Sequence, residues 1–311
     1  MRRFDVAAST GVVVLIMSAA CAAEPTPLTV APVSESVRLA ASQPTASTVM
    51  ALPEVEAPRT EYETLDYDRF SDPTVIDNPF LPFKPWTKLV YKGFTNKFEM
   101  IEHRVVYTAT DMTKVIDGIE TLVVWARDYS AGELAETELA FFAQDDDGNV
   151  WRMGEHPEEY DAGALVDAPT WISGIAGARA GIAMRGDPQV GSTSYSQGWG
   201  PAVEFIDRAI VGRFSASVCV ATGCYEDVLI IDEFNVEEPG AFQHKYFAAG
   251  VGNIKVDWSG TDEGREELEL VSVVTLSGAD RTVAREAVLD LEAHGYEISP
   301  DVYGLTDPIS G

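Results

Sequence analysis

The sequence predicts a mainly β protein, an antiparallel sheet arranged as a sandwich or curved half-barrel, with one C-terminal α-helix. Three observations carry this. Apolar residues recur with period 2 from Thr87 to Leu276, the spacing that turns alternate side chains to opposite faces of a strand. Turn residues break the pattern at short intervals, Asp147-Gly148 being a strong hairpin signal. Only Asp280 to His294 departs from it, with Ala284, Ala287, Val288 and Leu291 at helical spacing and Gly295 in place for a C-terminal stop.

The strands follow in order. Ile101, His103, Val105 and Tyr107 share one face. Thr121, Val123, Trp125 and Arg127 alternate with Leu122, Val124 and Ala126, which predicts a strand buried on both sides. Leu139, Phe141 and Ala143 run into Asp145-Asp146-Asp147-Gly148-Asn149, and Val150 to Met153 return. Ile210 to Val218, Val228 to Val236, Phe242-His244-Tyr246-Ala248, Ile254-Val256-Trp258 and Leu268 to Leu276 complete the series. The Gly/Ala-rich stretch 174–186 reads as loop. A single amphipathic helix on such a domain should cover a sheet face or a barrel mouth.

Before the sheet, composition divides the chain. Residues 1–21 read as an export signal: Arg2 and Arg3, an apolar run from Val12 to Met17, then small residues. The run is short for a bilayer span, which needs about 20 apolar residues. Ala20 and Ala22 fit an A-x-A cleavage site, whereas Ser18-Ala19-Ala20-Cys21 fits a lipobox in which Cys21 is acylated. Residues 22–60 hold no aromatic residue, Gly or Lys, and carry Pro25, Pro27, Pro32, Pro44, Pro53 and Pro58. Such a segment cannot offset its ordering entropy by burial. It is expected to be a disordered tether reaching roughly 35 Å as a coil. The β domain is then 61–277, opened by an extended, proline-rich lead-in from Tyr62 to Pro85, and the C-terminal helix and tail are 278–311.

The formal charge is −28, from 50 acidic and 22 basic residues. This argues against nucleic acid, which needs clustered Lys and Arg, and against electrostatic attachment to anionic lipid. There is no H-E-x-x-H, P-loop, G-x-S-x-G or C-x-x-C motif, so no cofactor, catalytic residue or metal ligand is assigned. His103 and His244 lie on strand patterns and could meet across a sheet, although such residues are more often plain polar positions. With Gly148 as the sixth residue of an EF-hand loop, Ala143 and Gly154 occupy the first and last ligand positions, so the acidic hairpin tip fails as a calcium loop. Cys219 and Cys224 flank a short connection in an exported chain, which predicts a hairpin disulfide.

Several strings resemble a group of uncharacterised secreted or lipid-anchored proteins of actinobacteria and other bacteria. They are Asn78-Pro79-Phe80-Leu81-Pro82-Phe83-Lys84-Pro85, Phe142-Ala143-Gln144-Asp145 with Asp147-Gly148-Asn149-Val150-Trp151, Glu237-Glu238-Pro239-Gly240, and Gln243 to Ala248 with Gly250-Val251-Gly252. That group usually has a small residue or Gly where Trp86 stands. The resemblance spans about residues 68–275, leaves out the C-terminal helix and implies no activity. A looser similarity is to bacterial lipoproteins whose curved sheets hold apolar ligands.

The function expected is therefore non-catalytic: an exported envelope protein, secreted or held to a membrane by a lipid on Cys21, binding a small apolar molecule or an envelope partner. Trp125, Phe141, Tyr246 and Trp258 are the candidate ligand-lining residues. The alternatives are a structural surface domain without ligand, and a hydrolase using acidic residues. A cavity lined by those aromatics favours ligand binding, a filled core the structural role, and a cleft with convergent Asp, Glu and His catalysis.

Overall fold

The structure is a computed structural model that describes residues 62–95 and 99–311. The signal segment, Cys21 and the 22–60 tether lie outside the described residues. The strands are β1 (Thr87–Thr95), β2 (Ile101–Ile116), β3 (Ile119–Ser130), β4 (Glu133–Gln144), β5 (Val150–Asp161), β6 (Ala164–Asp167), β7 (Trp171–Ile172), β8 (Arg179–Met184), β9 (Tyr195–Ser196), β10 (Gly198–Trp199), β11 (Arg208–Val220), β12 (Gly223–Phe234), β13 (Ala241–Ala248), β14 (Gly252–Gly260) and β15 (Glu267–Thr275). One helix, α1 (Ala279–Ile298), follows.

All the strands belong to one antiparallel sheet. Strand β1 lies at its middle, between β2 and β15. One wing runs outward through β2, β3, β4, β5 and β8; the other runs through β15, β14, β13, β12 and β11. Apart from β5 and β8, neighbours in each wing are neighbours in sequence, as hairpin connections require. Bulges interrupt the register in both wings, at Ala109/Thr113, Phe141/Phe142, Val211/Arg213 and Tyr246/Phe247 among others. A bulge bends its strand and increases local twist, so the wings curl toward each other. The sheet does not close into a barrel. Instead the chain at 195–199 touches both margins, β9 pairing with β11 and β10 with β8.

The first wing is buried on both sides. Leu122, Val123, Val124, Trp125 and Ala126 of β3 are all buried, as their apolar run predicts. The inner face turns toward the second wing. The outer face packs under α1, where Val123, Leu139, Phe141 and Met153 join Ala284, Val288, Leu291 and Tyr303. Lys114, fully buried, pins the helix: its ammonium donates to Glu292 Oε1 at 2.8 Å, the Tyr296 hydroxyl at 3.1 Å and the Asp307 carbonyl at 2.6 Å. Burial lowers its pKa against the pull of Glu292.

Two local expectations are corrected. Gly295 does not stop the helix, which continues to Ile298 before Pro300. A Cβ at Gly295 would lie 2.8 Å from His156 Nε2, so glycine here permits close helix-to-sheet contact. The 174–186 stretch is not all loop, since it contains β8. Gly181 is required there because a Cβ would lie 2.1 Å from the Gly198 nitrogen, where β10 crosses.

The lead-in packs on the sheet as expected, with one 3-10 turn at Tyr67–Arg69. Buried Asn78 organises it. Its Nδ2 donates to the carbonyls of Gly148 and Arg185, while its Oδ1 accepts from the amides of Phe80 and Leu81. The acidic hairpin tip is a structural cap. Asp145 accepts from the amides of Asp147 and Asn149 and from the Trp151 indole, and Asp146 accepts from Ser71.

Candidate functional site

The space between the two wings is an apolar funnel over a charged floor. Its mouth holds about 550 Å³ and is lined by Phe83, Leu89, Val251, Val273, Thr222 and Tyr225 among others. Thr222 lies at the tip of the β11–β12 hairpin and Tyr225 follows it on β12, with Thr222 Oγ1 and the Tyr225 hydroxyl 3.0 Å apart. The disulfide joins Cys219 and Cys224 as directly opposed residues just behind that tip. Phe83, Leu89, Tyr107, Val124 and Val251 also line an inner cavity of about 80 Å³, which continues to Ala140, Phe142, Ala183 and Phe247. The Phe83 ring, brought in by the lead-in, lies 4.9 Å from that of Phe142.

The floor of the inner cavity is built from Glu138, Arg152, Glu155, Gln197, Glu233, Lys245 and Asn253. Arg152 is 2% exposed, Glu155 and Lys245 3%, and Glu138 5%, so these are interior groups. A local device on β5 assembles them. Arg152 and Glu155 are three apart and would face opposite ways on a regular strand. The register shift beside Phe141/Phe142 turns both inward. Gly154 makes this possible, because a Cβ there would lie 2.7 Å from the Trp171 carbonyl oxygen.

The floor's polar groups are largely paired, as burial demands. Arg152 Nε lies 3.0 Å from Glu155 Oε1, and the Trp171 indole donates to Glu155 Oε2 at 3.0 Å. Lys245 forms an ion pair with Glu233, which also accepts from Gln197 Nε2 at 2.7 Å. Burial, reinforced by the adjacent Glu155, holds the Glu138 carboxyl well above the usual carboxylate range. Four atoms on the floor have no hydrogen-bond partner: Arg152 Nε and Lys245 Nζ still touch a carboxylate as ion pairs, whereas Arg152 Nη1 and Gln197 Oε1 have neither. Behind the floor, burial and then Glu233 push Asp207 up to about 7.

A second charged layer lies farther along the inner face. His103 Nε2 is 2.5 Å from Asp128 and its Nδ1 is 2.9 Å from Glu266. Burial opposes the charged ring, but the two carboxylates prevail and raise its pKa to about 10. Asp128, Glu136 and Glu159 are directly opposed on β3, β4 and β5. Burial and these neighbours push Glu136 well up. His244 does not join His103; its partners are Asp232 at 2.6 Å and Ser259 at 2.8 Å. Among the described residues no group of three or more His, Cys, Asp or Glu could hold a metal ion.

The four aromatic residues expected to line a cavity do not do so together. Phe141 sits on the outer face, its ring 6.2 Å from Tyr303. Trp125 shares that parity with Leu139 and carries the Arg127 guanidinium over its ring. Tyr246 faces away from the funnel, with Lys255 over its ring. Trp258 shares the inner row with Gln243 but lies beneath Arg265, outside the cavity lining. The lining comes from their neighbours in sequence, Val124, Ala140, Phe142, Lys245 and Phe247. With side-chain period 2, a one-residue difference in parity is a change of face.

No protein-family model matches the sequence, and comparison with curated proteins finds no significant match. Two solved structures are similar in outline. A Bacteroides fragilis protein described as exported, with a YmcC-like fold, aligns at TM-score 0.39 and 10% identity, over 63% of this chain and 99% of its own. A Parabacteroides distasonis protein described as a lipoprotein aligns at TM-score 0.34 and 8% identity, over 64% of this chain and 100% of its own. At these scores the likeness carries no argument about the site. No helix among the described residues is long and apolar enough to cross a membrane.

Proposed function

We propose that the protein is an exported, non-catalytic envelope protein that binds a small molecule with an apolar body in the funnel between its two wings. The single observation carrying this is the funnel itself: an apolar mouth of about 550 Å³ running into an inner cavity of about 80 Å³. A filled structural domain has no need of such space, and small-molecule pockets are commonly about 300–1,000 Å³. The signal-type N-terminus and Cys21 put the chain in the envelope, lipid-anchored or secreted, where apolar molecules need a carrier or receptor.

The test is a fluorescence titration of the full chain with N-phenyl-1-naphthylamine, a neutral apolar probe. Wild type should bind it saturably, and Ala140→Phe, which projects a ring into the inner cavity, should weaken binding at least about tenfold, or roughly 1.4 kcal/mol. Equal binding by the two proteins, with the variant folded by circular dichroism, removes the cavity from the account.

A second reading has one observation in its favour, the neighbouring Glu138 and Glu155 carboxyls on the cavity floor, an arrangement that acid–base catalysis can use. Against it, Glu155 is held by Arg152 and Trp171, and no Ser, Thr or Cys lines the inner cavity. Turnover of ester or glycoside substrates by wild type, lost in Glu138→Gln, would establish the catalytic reading in place of the binding one.

A further inference from the structure

We infer that the cavity floor selects an amphiphile whose polar head is uncharged, a primary amide or a hydroxyl, with its apolar tail lying out along the mouth. The inference rests on the ligand-binding reading and names the ligand class.

The argument begins with charge. Arg152 and Lys245 are matched by Glu155 and Glu233, each cation beside its own carboxylate. The third carboxyl, Glu138, is disfavoured as an ion by burial and by Glu155 beside it. The floor is therefore balanced without a ligand, and a charged head would enter a dry site that has no counter-ion to spare. Burying a charge without a dedicated partner is far more costly than burying a neutral polar group that finds hydrogen bonds. The unpartnered atoms indicate what such a group should offer. Arg152 Nη1 is a donor without an acceptor, and Gln197 Oε1 is an acceptor without a donor. Both side chains are about 2% exposed and both line the cavity. A primary amide or hydroxyl supplies one acceptor and at least one donor. A carboxylate supplies acceptors only, and an ammonium donors only. Size agrees: about 80 Å³ accepts a head of a few atoms, and the mouth of about 550 Å³ takes a medium-length chain.

The experiment is displacement of bound N-phenyl-1-naphthylamine from the full chain by four amphiphiles with the same ten-carbon skeleton: decanamide, decanol, decanoate and decylamine. Decanamide and decanol should displace the probe at concentrations at least about tenfold lower than the two ions, the difference an unsatisfied buried polar group commonly makes. Gln197→Leu should keep tail binding but narrow the gap between decanamide and the ions, and Gln197→Met serves if the first variant does not fold. Displacement by decanoate or decylamine as good as by decanamide overturns the inference and leaves the ligand-binding reading standing. So does an unchanged gap in the folded Gln197 variant, or a probe that binds but yields to none of the four. Failure of wild type to bind the probe at all brings down the ligand-binding reading, and the inference with it.

Discussion

Trp86 occupies a left-handed backbone conformation, φ 63°, yet is only 3% exposed. This conformation favours glycine. Here the indole lies under Arg281 and Arg285 of α1, at 5.7 and 5.4 Å. Its amide donates to the Ala109 carbonyl and its carbonyl accepts from Leu276. The large side chain is thus a peg for the helix, and its burial outweighs the strain. Trp86→Ala should cost about 3 kcal/mol in a denaturant titration; a loss near zero would mean that strain relief cancels the packing. Asp207 is the second informative residue. Its folded-state pKa of about 7 lies above the ordinary 3.8. Between those values the folded chain keeps a proton that the unfolded chain has released, so stability is fully present below the ordinary value and is lost as pH rises through the folded one. His103, raised from 6.5 to about 10, acts in the same direction at higher pH. The melting temperature should therefore be higher at about pH 5.5 than at about pH 8.5, with a smaller difference in Asp207→Asn. A melting temperature that falls on acidification over this range contradicts the assignment.

The β11–β12 hairpin is a stapled lip, since its disulfide lies just behind two residues of the mouth. The disulfide closes only a short loop, with a sequence separation of 5, so its reduction should cost at most about 2–3 kcal/mol. The fold should persist by circular dichroism, while the neutral probe dissociates faster from the reduced protein; an unchanged off-rate would show that the lip does not hold the ligand. Helix α1 depends on Lys114 in the same local way. Lys114→Met leaves Glu292 buried without its cation, and should destabilise by about 3–5 kcal/mol. Elements of this kind were largely legible. The long strands, the β4–β5 hairpin, the disulfide and the helix follow from period and turn chemistry, because local sequence governs those choices, whereas β8 and the short strands beside it do not. The site was legible only in part. On β4 and β13 the apolar sets Leu139-Phe141 and Phe242-His244-Tyr246 leave Glu138 and Lys245 on the opposite face of the strand. They are interior because the opposite wing covers that face, a tertiary fact that alternation within one strand cannot express. The bulge that turns Arg152 and Glu155 to the same side also breaks the period that would locate them. Gly154 and Gly181 were the available signals, since glycine within a strand marks a bulge or a close backbone approach.

At the scale of the whole molecule, curvature and charge act together. Bulged strands curl one sheet around a space that its own side chains do not fill, and α1 seals the back of the first wing. The mouth gives an apolar way in, over a floor of matched charges. The 28 net negative charges then belong chiefly to the surface, where they favour solubility and mutual repulsion between molecules. The account depends on the funnel holding a molecule in the protein's own setting. Native mass spectrometry of the full chain, purified gently from its native envelope, measures this directly. The account predicts that wild type carries a bound small molecule, released on unfolding, and that Ala140→Phe purified in the same way carries little or none. A wild-type protein whose native mass equals that of its covalent chain, or a ligand retained equally by the folded variant, would contradict it.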